Sequence, residues 1–304
     1  MDHNRLFTGL SAFPLTPLRH DRIDEAAFIR IIGRLAAARV DSIGALGSTG
    51  SYAYLDRAER ARVARLAVEH AGDTPVIVGI GALRTSQVQA LAHDAQAAGA
   101  AAVLLAPMTY QALSPDEVYG LYAAVTGELD VPLVVYDNPG TTHFTFPTEL
   151  YGRIAELPHI GALKIPPVRG DAATVAAHLA EVRAQLPGHV RLGTSGDSAA
   201  ARALMAGCDL WFSVIGGVLP ELTLELTRAS LAGDTDSAER AQALLQPVWD
   251  LMDVHGSLRV AAALAQALEL TGSDALPAPV AGLSGLAARA AEEFVAGLGD
   301  LGRV

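Results

Sequence analysis

The stretch Ile160-Gly161-Ala162-Leu163-Lys164-Ile165-Pro166 is a short apolar run that carries one charged residue. Its hydrophobicity is continuous rather than alternating, which is typical of a parallel strand buried on both faces. Similar runs occur along the first two-thirds of the chain, at residues 6–13, 42–46, 76–80, 102–106, 133–136, 190–193 and 210–214. We therefore predict eight buried parallel strands, of which residues 160–165 form the sixth.

Longer amphipathic segments, rich in Ala and Arg, separate these strands. Helix-start signals precede several of them, at Asp24-Glu25 before 26–38, Asp56 before 57–71, Thr85 before 86–98, and Ser114-Pro115-Asp116-Glu117. Eight strands, each followed by a helix in about 220 residues, predict an α/β fold of the (β/α)8 TIM-barrel class. A doubly wound sheet is the alternative fold, but Gly79-Ile80-Gly81 lacks the third glycine of a dinucleotide-binding fingerprint.

The strand pattern stops at Pro220. Helical patterns follow at residues 222–231, 237–254, 258–268 and 285–297. We predict a catalytic barrel over residues 1–221 and a C-terminal helical region over residues 222–304 that packs on it.

The composition excludes several function classes. Lys and Arg total 22 against 33 Asp and Glu, and the net charge of −11 argues against nucleic-acid or membrane partners. An anionic substrate must therefore be held by local groups. The single cysteine, Cys208, cannot form an internal disulfide, and no acidic or histidine cluster has metal-ligand spacing. The N-terminal residues lack a signal-peptide pattern, so we expect a cytoplasmic protein, without metal or cofactor.

Lys164 is the one lysine of the chain, so the other 21 of the 22 basic residues are arginines. Arginine stays protonated, whereas a desolvated lysine can lose its proton and attack a carbonyl to form a Schiff base. Two structural interpretations compete with this chemistry: a lysine that snorkels to water, and one end of a buried ion pair. Its position in the sequence does not decide among them.

Other reactive side chains are expected at the C-terminal strand ends, where barrels of this class place their active sites. Tyr136 is suited to shuttle protons beside Lys164. Ser48 and Thr49, in a glycine-flanked turn, are suited to bind a small carboxylate. Both assignments have a structural alternative. For Tyr136 it is a packing residue, and for Ser48 and Thr49 it is an ordinary turn without a ligand. His143 is interpreted as a loop residue.

The motifs G-S-T-G, Y-x-N-P-G and L-K-I, in this order, resemble the dihydrodipicolinate synthase / N-acetylneuraminate lyase family of class I aldolases. The resemblance implies that Lys164 is the Schiff-base lysine and Tyr136 the proton shuttle. It implies that Ser48 is catalytic and, with Thr49, binds the substrate carboxylate. It also implies that Tyr110 completes the proton relay across a subunit interface.

We also predict Gly47, Gly50, Phe212 and Thr141 as substrate-binding residues. The implied partners are a 2-oxo acid, an aldehyde or sugar-acid co-substrate, and further copies of the chain in a homotetramer built as a dimer of dimers. Two departures weaken assignment as a synthase: Ser51 replaces a glutamate, and Thr141 replaces an arginine that holds the second substrate's carboxylate. Ser198 and Val214 likewise depart from the sialic-acid lyases.

The predicted function is a lyase that joins Lys164 to pyruvate or another 2-oxo acid for aldol cleavage or condensation. One alternative is dehydration of a 2-oxo-3-deoxy sugar acid through the same Schiff base. Another is a non-catalytic barrel that binds a 2-oxo acid. A binder needs neither a nucleophile nor a proton shuttle, so the presence of both Tyr136 and Lys164 argues against it.

Overall fold

In the computed structural model, which describes residues 6–299, eight parallel strands close into a barrel. The strands are β1 Gly9–Ala12, β4 Ser42–Ala45, β5 Val76–Gly79, β6 Ala102–Leu105, β7 Leu133–Tyr136, β8 Ile160–Ile165, β9 Arg191–Thr194 and β10 Leu210–Ser213. They follow one another around the barrel in chain order, and β10 pairs with β1. The short strands β2 Leu18–Arg19 and β3 Arg22–Ile23 form a separate antiparallel pair. The predicted TIM barrel is confirmed, and the doubly wound alternative is wrong because the sheet closes.

Helices connect the strands and continue beyond the last one. They are α1 Glu25–Ala38, α2 Arg57–His70, α3 Thr85–Ala97, α4 Pro115–Thr126, α5 Pro139–Thr142, α6 Thr148–Ala155, α7 Ala172–Ala184, α8 Ala200–Met205, α9 Pro220–Ala232, α10 Thr235–His255, α11 Ser257–Ala267 and α12 Gly285–Gly297. Capping explains the clearest starts. The Asp56 side chain accepts a hydrogen bond from the Glu59 N–H, and Ser114 accepts one from Glu117. Over the described residues, no helix is long and apolar enough to cross a membrane.

Helix α9 completes the ring of helices around the barrel. It packs against β1 and against α8 and α1, its neighbours on either side. The predicted boundary between residues 221 and 222 falls inside this helix, so we propose that the C-terminal region begins with α10. The predicted outer limits, residues 1 and 304, lie outside the described residues.

The C-terminal region reaches over the mouth of the barrel. Helix α11 contacts the short helical turn Ile215–Gly217 after β10, and α10 contacts the turn Asp197–Ala199 after β9. The Gln242 amide on α10 also donates a hydrogen bond to the Ser198 carbonyl at 3.2 Å. Both contacts lie at the C-terminal ends of strands, so the helices appended to the barrel border the cavity there.

Two hydrophobic layers surround the strands. The larger lies between the strands and the helices, and the smaller fills the barrel interior with side chains that include Phe13, Tyr136 and Phe212. Glycine makes room for these rings. A Cβ atom at Gly44 would lie 2.3 Å from the Phe13 ring, and one at Gly193 would lie 2.5 Å from the Phe212 ring. The interior is therefore packed with aromatic residues directly below the strand ends.

Candidate active site

A cavity of about 660 Å³ opens at the C-terminal ends of the barrel strands. Most of the predicted site residues line it, namely Ser48, Thr49, Tyr136, Thr141, Lys164 and Phe212. The C-terminal region contributes Met252, Gly256, Ser257, Leu258 and Arg259 to the wall. The cavity thus joins the predicted chemistry of the barrel to a surface formed by the appended helices.

The amine of Lys164 lies among three aromatic rings. Its Nζ is 3.9 Å from the centroid of the Phe13 ring, 4.1 Å from that of Tyr136 and 5.4 Å from that of Phe212. Only 4% of the residue is exposed, so it does not snorkel to water. Among the described residues no carboxylate forms a salt bridge with it, so the ion-pair interpretation also fails.

Burial sets the protonation of this amine. Desolvation lowers the pKa of Lys164 to about 7, and the nearby carboxylate of Asp197 opposes the shift. The ring faces also favour the charged ammonium. An amine with a pKa near neutrality has a substantial unprotonated fraction at physiological pH, and that form is the nucleophile in imine formation.

Asp197 is held at the cavity wall by donors from the next strand and the turn after it. Its carboxylate accepts hydrogen bonds from the Trp211 indole at 3.0 Å and from the backbone N–H groups of Val214 at 3.2 Å and Ile215 at 2.9 Å. Burial raises the pKa of Asp197, and these donors oppose that effect. Asp197 lines the cavity but was not predicted as a site residue from the sequence.

Tyr136 begins a polar chain that leads away from the amine. Burial raises the pKa of its phenol, and a side-chain hydrogen bond with Ser48 acts in the opposite direction. The Ser48 hydroxyl accepts a further hydrogen bond from the Asn138 amide at 3.3 Å. Asn138 is a site residue that we did not predict, although it is the asparagine of Y-x-N-P-G. The three side chains orient one another beside the lysine.

The glycine-flanked turn has a constrained backbone. Leu46 and Ser51, on either side of it, have φ values of 57° and 54°, in the left-handed region that bulky residues avoid. Gly47 and Gly50 do not line the cavity. A Cβ at Gly47 would lie 2.5 Å from the Phe13 ring, and one at Gly50 would lie 2.9 Å from the Leu46 nitrogen. Both glycines therefore allow close packing around the turn, and their role in substrate binding stays a prediction.

Phe13 is the aromatic residue nearest to the lysine amine, and the sequence analysis did not select it. Its ring meets that of Phe212 edge to face, with centroids 5.9 Å apart at 78°. The available signal was the Phe13-Pro14-Leu15-Thr16-Pro17 segment at the end of the first strand. The sequence alone does not distinguish an active-site phenylalanine at this position from an ordinary core residue.

Tyr110 lies outside the cavity, on the surface of the chain. It is 88% exposed and is not among the residues that line the cavity. Its role in a relay across a subunit interface stays a prediction. His143 caps the short helix α5 with a left-handed backbone and is also outside the cavity lining, in keeping with its interpretation as a loop residue.

Among the described residues, no group of three or more His, Cys, Asp or Glu side chains is arranged to hold a metal ion. The charged residues that line the cavity are Lys164, Asp197 and Arg259. The chemistry available to the site from its own side chains is therefore that of an amine, hydroxyl groups, one arginine and one carboxylate.

Comparison with known proteins gives matches over most of the chain. The sequence model described as the dihydrodipicolinate synthetase family matches residues 6–295. A 4-hydroxy-tetrahydrodipicolinate synthase of Methylococcus capsulatus is 35% identical over 226 residues, which cover 74% of this chain and 76% of the relative. A crystal structure of a dihydrodipicolinate synthase from Agrobacterium tumefaciens has a TM-score of 0.94 and 44% identity, covering 98% of this chain and 100% of that one. A putative dihydrodipicolinate synthetase from Pseudomonas aeruginosa has a TM-score of 0.85 and 29% identity, covering 94% and 98%.

Proposed function

Since the chain belongs to the dihydrodipicolinate synthetase family, we propose that it is a class I aldolase-type lyase whose Schiff-base lysine is Lys164. The observation that supports this assignment most strongly is the buried Lys164 amine, which forms no salt bridge within residues 6–299 and has a pKa of about 7. The substrate is pyruvate or another 2-oxo acid. The second reactant is an aldehyde-type compound.

The first steps of the reaction use Lys164 and Tyr136. The unprotonated amine attacks the C2 carbonyl of the 2-oxo acid, and the carbonyl oxygen takes up a proton to give a carbinolamine. The Tyr136 hydroxyl then protonates the departing hydroxyl group, water leaves, and a C=N bond forms to the lysine. The Tyr136 oxygen, left deprotonated, takes a proton from C3 to give an enamine, and C3 then attacks the aldehyde carbon while the aldehyde oxygen takes up the proton. Water hydrolyses the C=N bond and releases the product from the lysine. Cleavage follows the same steps in reverse.

The carboxylate of the 2-oxo acid is assigned to the turn that carries Ser48 and Thr49. Both residues line the cavity, and Thr49 is buried. Their hydroxyls and the N–H groups of the turn supply hydrogen-bond donors for an anion. The turn follows β4 while Lys164 lies on β8, so the two ends of a small 2-oxo acid are held from different sides of the cavity.

A dehydratase acting on a 2-oxo-3-deoxy sugar acid is the second candidate. The observation in its favour is the hydroxyl-rich lining of the cavity, to which Thr109, Thr141, Ser195 and Ser257 contribute. Such a lining suits a polyhydroxylated chain. The same lysine would form the same Schiff base, so the two candidates differ only in the bond that breaks next.

We also propose that the chain assembles as a homotetramer, a dimer of dimers, with Tyr110 at an interface. Support comes from the 88% exposure of this aromatic side chain, which leaves its ring and hydroxyl available to a neighbouring copy of the chain. The cytoplasmic location expected from the sequence stays a prediction.

Borohydride trapping tests the proposed function. Pyruvate and borohydride together should add one adduct to the intact mass, and peptide mapping should place it on Lys164. Lys164→Ala and Lys164→Arg should both abolish the adduct, because neither leaves a nucleophilic amine at this position. The N-terminal amine is the other amine of the chain and serves as the internal control. An adduct confined to that amine, or none with any 2-oxo acid, would refute the assignment.

A further inference from the structure

Arg259 lies on α11 and lines the same cavity as Lys164. Its side chain is exposed, and its Nε donates a hydrogen bond to the Ala281 carbonyl at 3.0 Å. Over the described residues, no carboxylate forms a salt bridge with Arg259, and its terminal nitrogens have no hydrogen-bond partner. The side chain is therefore anchored at one nitrogen and leaves the others available to a ligand.

The charge balance of the cavity strengthens this observation. Asp197 is the carboxylate among the described lining residues, and it already accepts hydrogen bonds from Trp211, Val214 and Ile215. Asp197 and Arg259 form no salt bridge with each other. The protein as a whole carries a net charge of −11, which repels anions. An unpaired arginine at the cavity is thus a local positive site in an otherwise acidic molecule.

The backbone around Arg259 also carries partial positive charge. Gly256, Ser257 and Leu258 line the cavity at the start of α11, and Gly256 provides no side-chain cap. The first N–H groups of a helix lack partners within the helix and carry partial positive charge. They reinforce the charge of the guanidinium group.

Thr141 is uncharged, so it provides no second positive group beside Arg259. It occupies the position where the synthases have their arginine, and its hydroxyl donates a hydrogen bond to the Asn138 carbonyl within its own turn at 3.4 Å. Thr141 follows β7, whereas Arg259 comes from the C-terminal region. The arginine that lines the cavity therefore lies on a different element from the one where the synthases have theirs.

We infer that Arg259 forms a binding site for a second anionic group, at the end of the substrate remote from the Schiff base. This inference rests on the proposed function, since it assumes that Lys164 holds the 2-oxo end. A guanidinium group binds a carboxylate through two parallel hydrogen bonds, which a lysine does not reproduce. The substrate class is a 2-oxo acid with a distal carboxylate.

The test compares 2-oxo acids that differ only at the distal end. The pairs are 2-oxoglutarate with 2-oxopentanoate, 2-oxoadipate with 2-oxohexanoate, and 2-oxopimelate with 2-oxoheptanoate. Half-saturation of borohydride trapping at Lys164 is measured by intact mass, so the natural second reactant need not be known. The wild type should favour the dicarboxylate by about 10- to 100-fold at one chain length or more, the scale of a charge-assisted hydrogen bond.

Arg259→Gln should remove this preference and leave pyruvate trapping unchanged, since the Lys164 end of the site is not altered. Arg259→Lys should retain part of the preference, because it keeps charge but not the paired geometry. Arg30→Gln is the matched control. Arg30 also donates to a backbone carbonyl of the C-terminal region, that of Leu270, but does not line the cavity. The Arg30→Gln variant should favour the dicarboxylates as strongly as the wild type does.

Three outcomes would overturn the inference. A wild type that traps pyruvate but favours no dicarboxylate refutes the anion site and leaves the proposed function intact. A preference that persists in Arg259→Gln assigns the anion to another group. A wild type that traps no 2-oxo acid refutes the proposed function, and the anion site with it.

Discussion

Tyr136 and Lys164 are register partners on the neighbouring strands β7 and β8, and the lysine amine lies 4.1 Å from the centroid of the tyrosine ring. Side chains alternate between the two faces of a strand, so partners in a parallel ladder point to the same face. Here that face is the barrel interior, where Tyr136 is 7% exposed and Lys164 4%. The fold itself therefore brings a phenol next to a desolvated amine, without the help of a mobile loop.

The rate of imine formation should follow the pKa of Lys164, which burial lowers to about 7. Only the unprotonated amine attacks, so the rate with pyruvate should rise about tenfold per pH unit below this value and level off above it. Rapid-quench trapping with borohydride measures the profile. Asp197→Asn removes a carboxylate that favours the ammonium, so it should move the midpoint to lower pH. A midpoint near the ordinary lysine pKa of about 10 would contradict the proposed desolvation.

Tyr136→Phe should separate proton transfer from imine formation. The ring stays beside the lysine and only the hydroxyl is lost, so trapping should become slow without vanishing. Steady-state turnover should fall by about 10²- to 10⁴-fold, the usual scale of general acid–base catalysis. Tyr122→Phe is the control, because the buried Tyr122 hydroxyl donates to the Leu105 carbonyl away from the cavity. That variant should lose about 1 kcal/mol of stability and little turnover. Full activity in Tyr136→Phe would make this tyrosine a packing residue.

The strands and helix starts were predictable because they depend on local patterns. Continuous apolar runs mark strands buried on both faces, and Asp56 and Ser114 satisfy the first N–H groups of the helices that follow them. The residues at the strand ends followed from topology once eight strands were counted. Tyr136 and Lys164 fall into this group.

The residues that the sequence analysis missed depend on contacts between distant segments. Phe13 reaches the lysine from the first strand, and Arg259 reaches the cavity from a helix beyond the barrel. An apolar ring in a strand and an arginine in an amphipathic helix look like ordinary core and surface residues. Gly47 shows another limit of the sequence: its motif is distinctive, but the contact that requires a glycine there, with the Phe13 ring, becomes visible only in the fold.

Thr141 should limit activity with the second substrate of the synthases. Condensation of pyruvate with aspartate semialdehyde, followed by coupled reduction, should be inefficient in the wild type. Thr141→Arg restores a bidentate, charge-assisted contact with the carboxylate of aspartate semialdehyde and should raise the catalytic efficiency by roughly 30- to 1000-fold. Thr141→Gln is the control, with similar reach but no charge. A wild type as efficient as Thr141→Arg would show that another cation, such as Arg259, already holds this carboxylate.

Lys164→Met should show how much the buried amine lowers the free energy of unfolding, because that effect depends on pH. The pKa of Lys164 is about 7 in the folded protein and its ordinary value is 10.5, so between these values the unfolded chain binds more protons. The free energy of unfolding of the wild type should therefore rise with pH across this window, by at most about 1.4 kcal/mol per unit. Below pH 7 the amine is protonated in both states, so the loss of stability from burying its charge is fully present.

Methionine keeps an apolar stem and does not titrate, so the Lys164→Met variant should be more stable than the wild type near neutrality. Urea unfolding of both proteins at several pH values should show that advantage shrinking by about 2 kcal/mol from pH 7 to pH 9. Parallel profiles would mean that Lys164 keeps its ordinary pKa, and the nucleophile would then be mostly protonated at neutral pH.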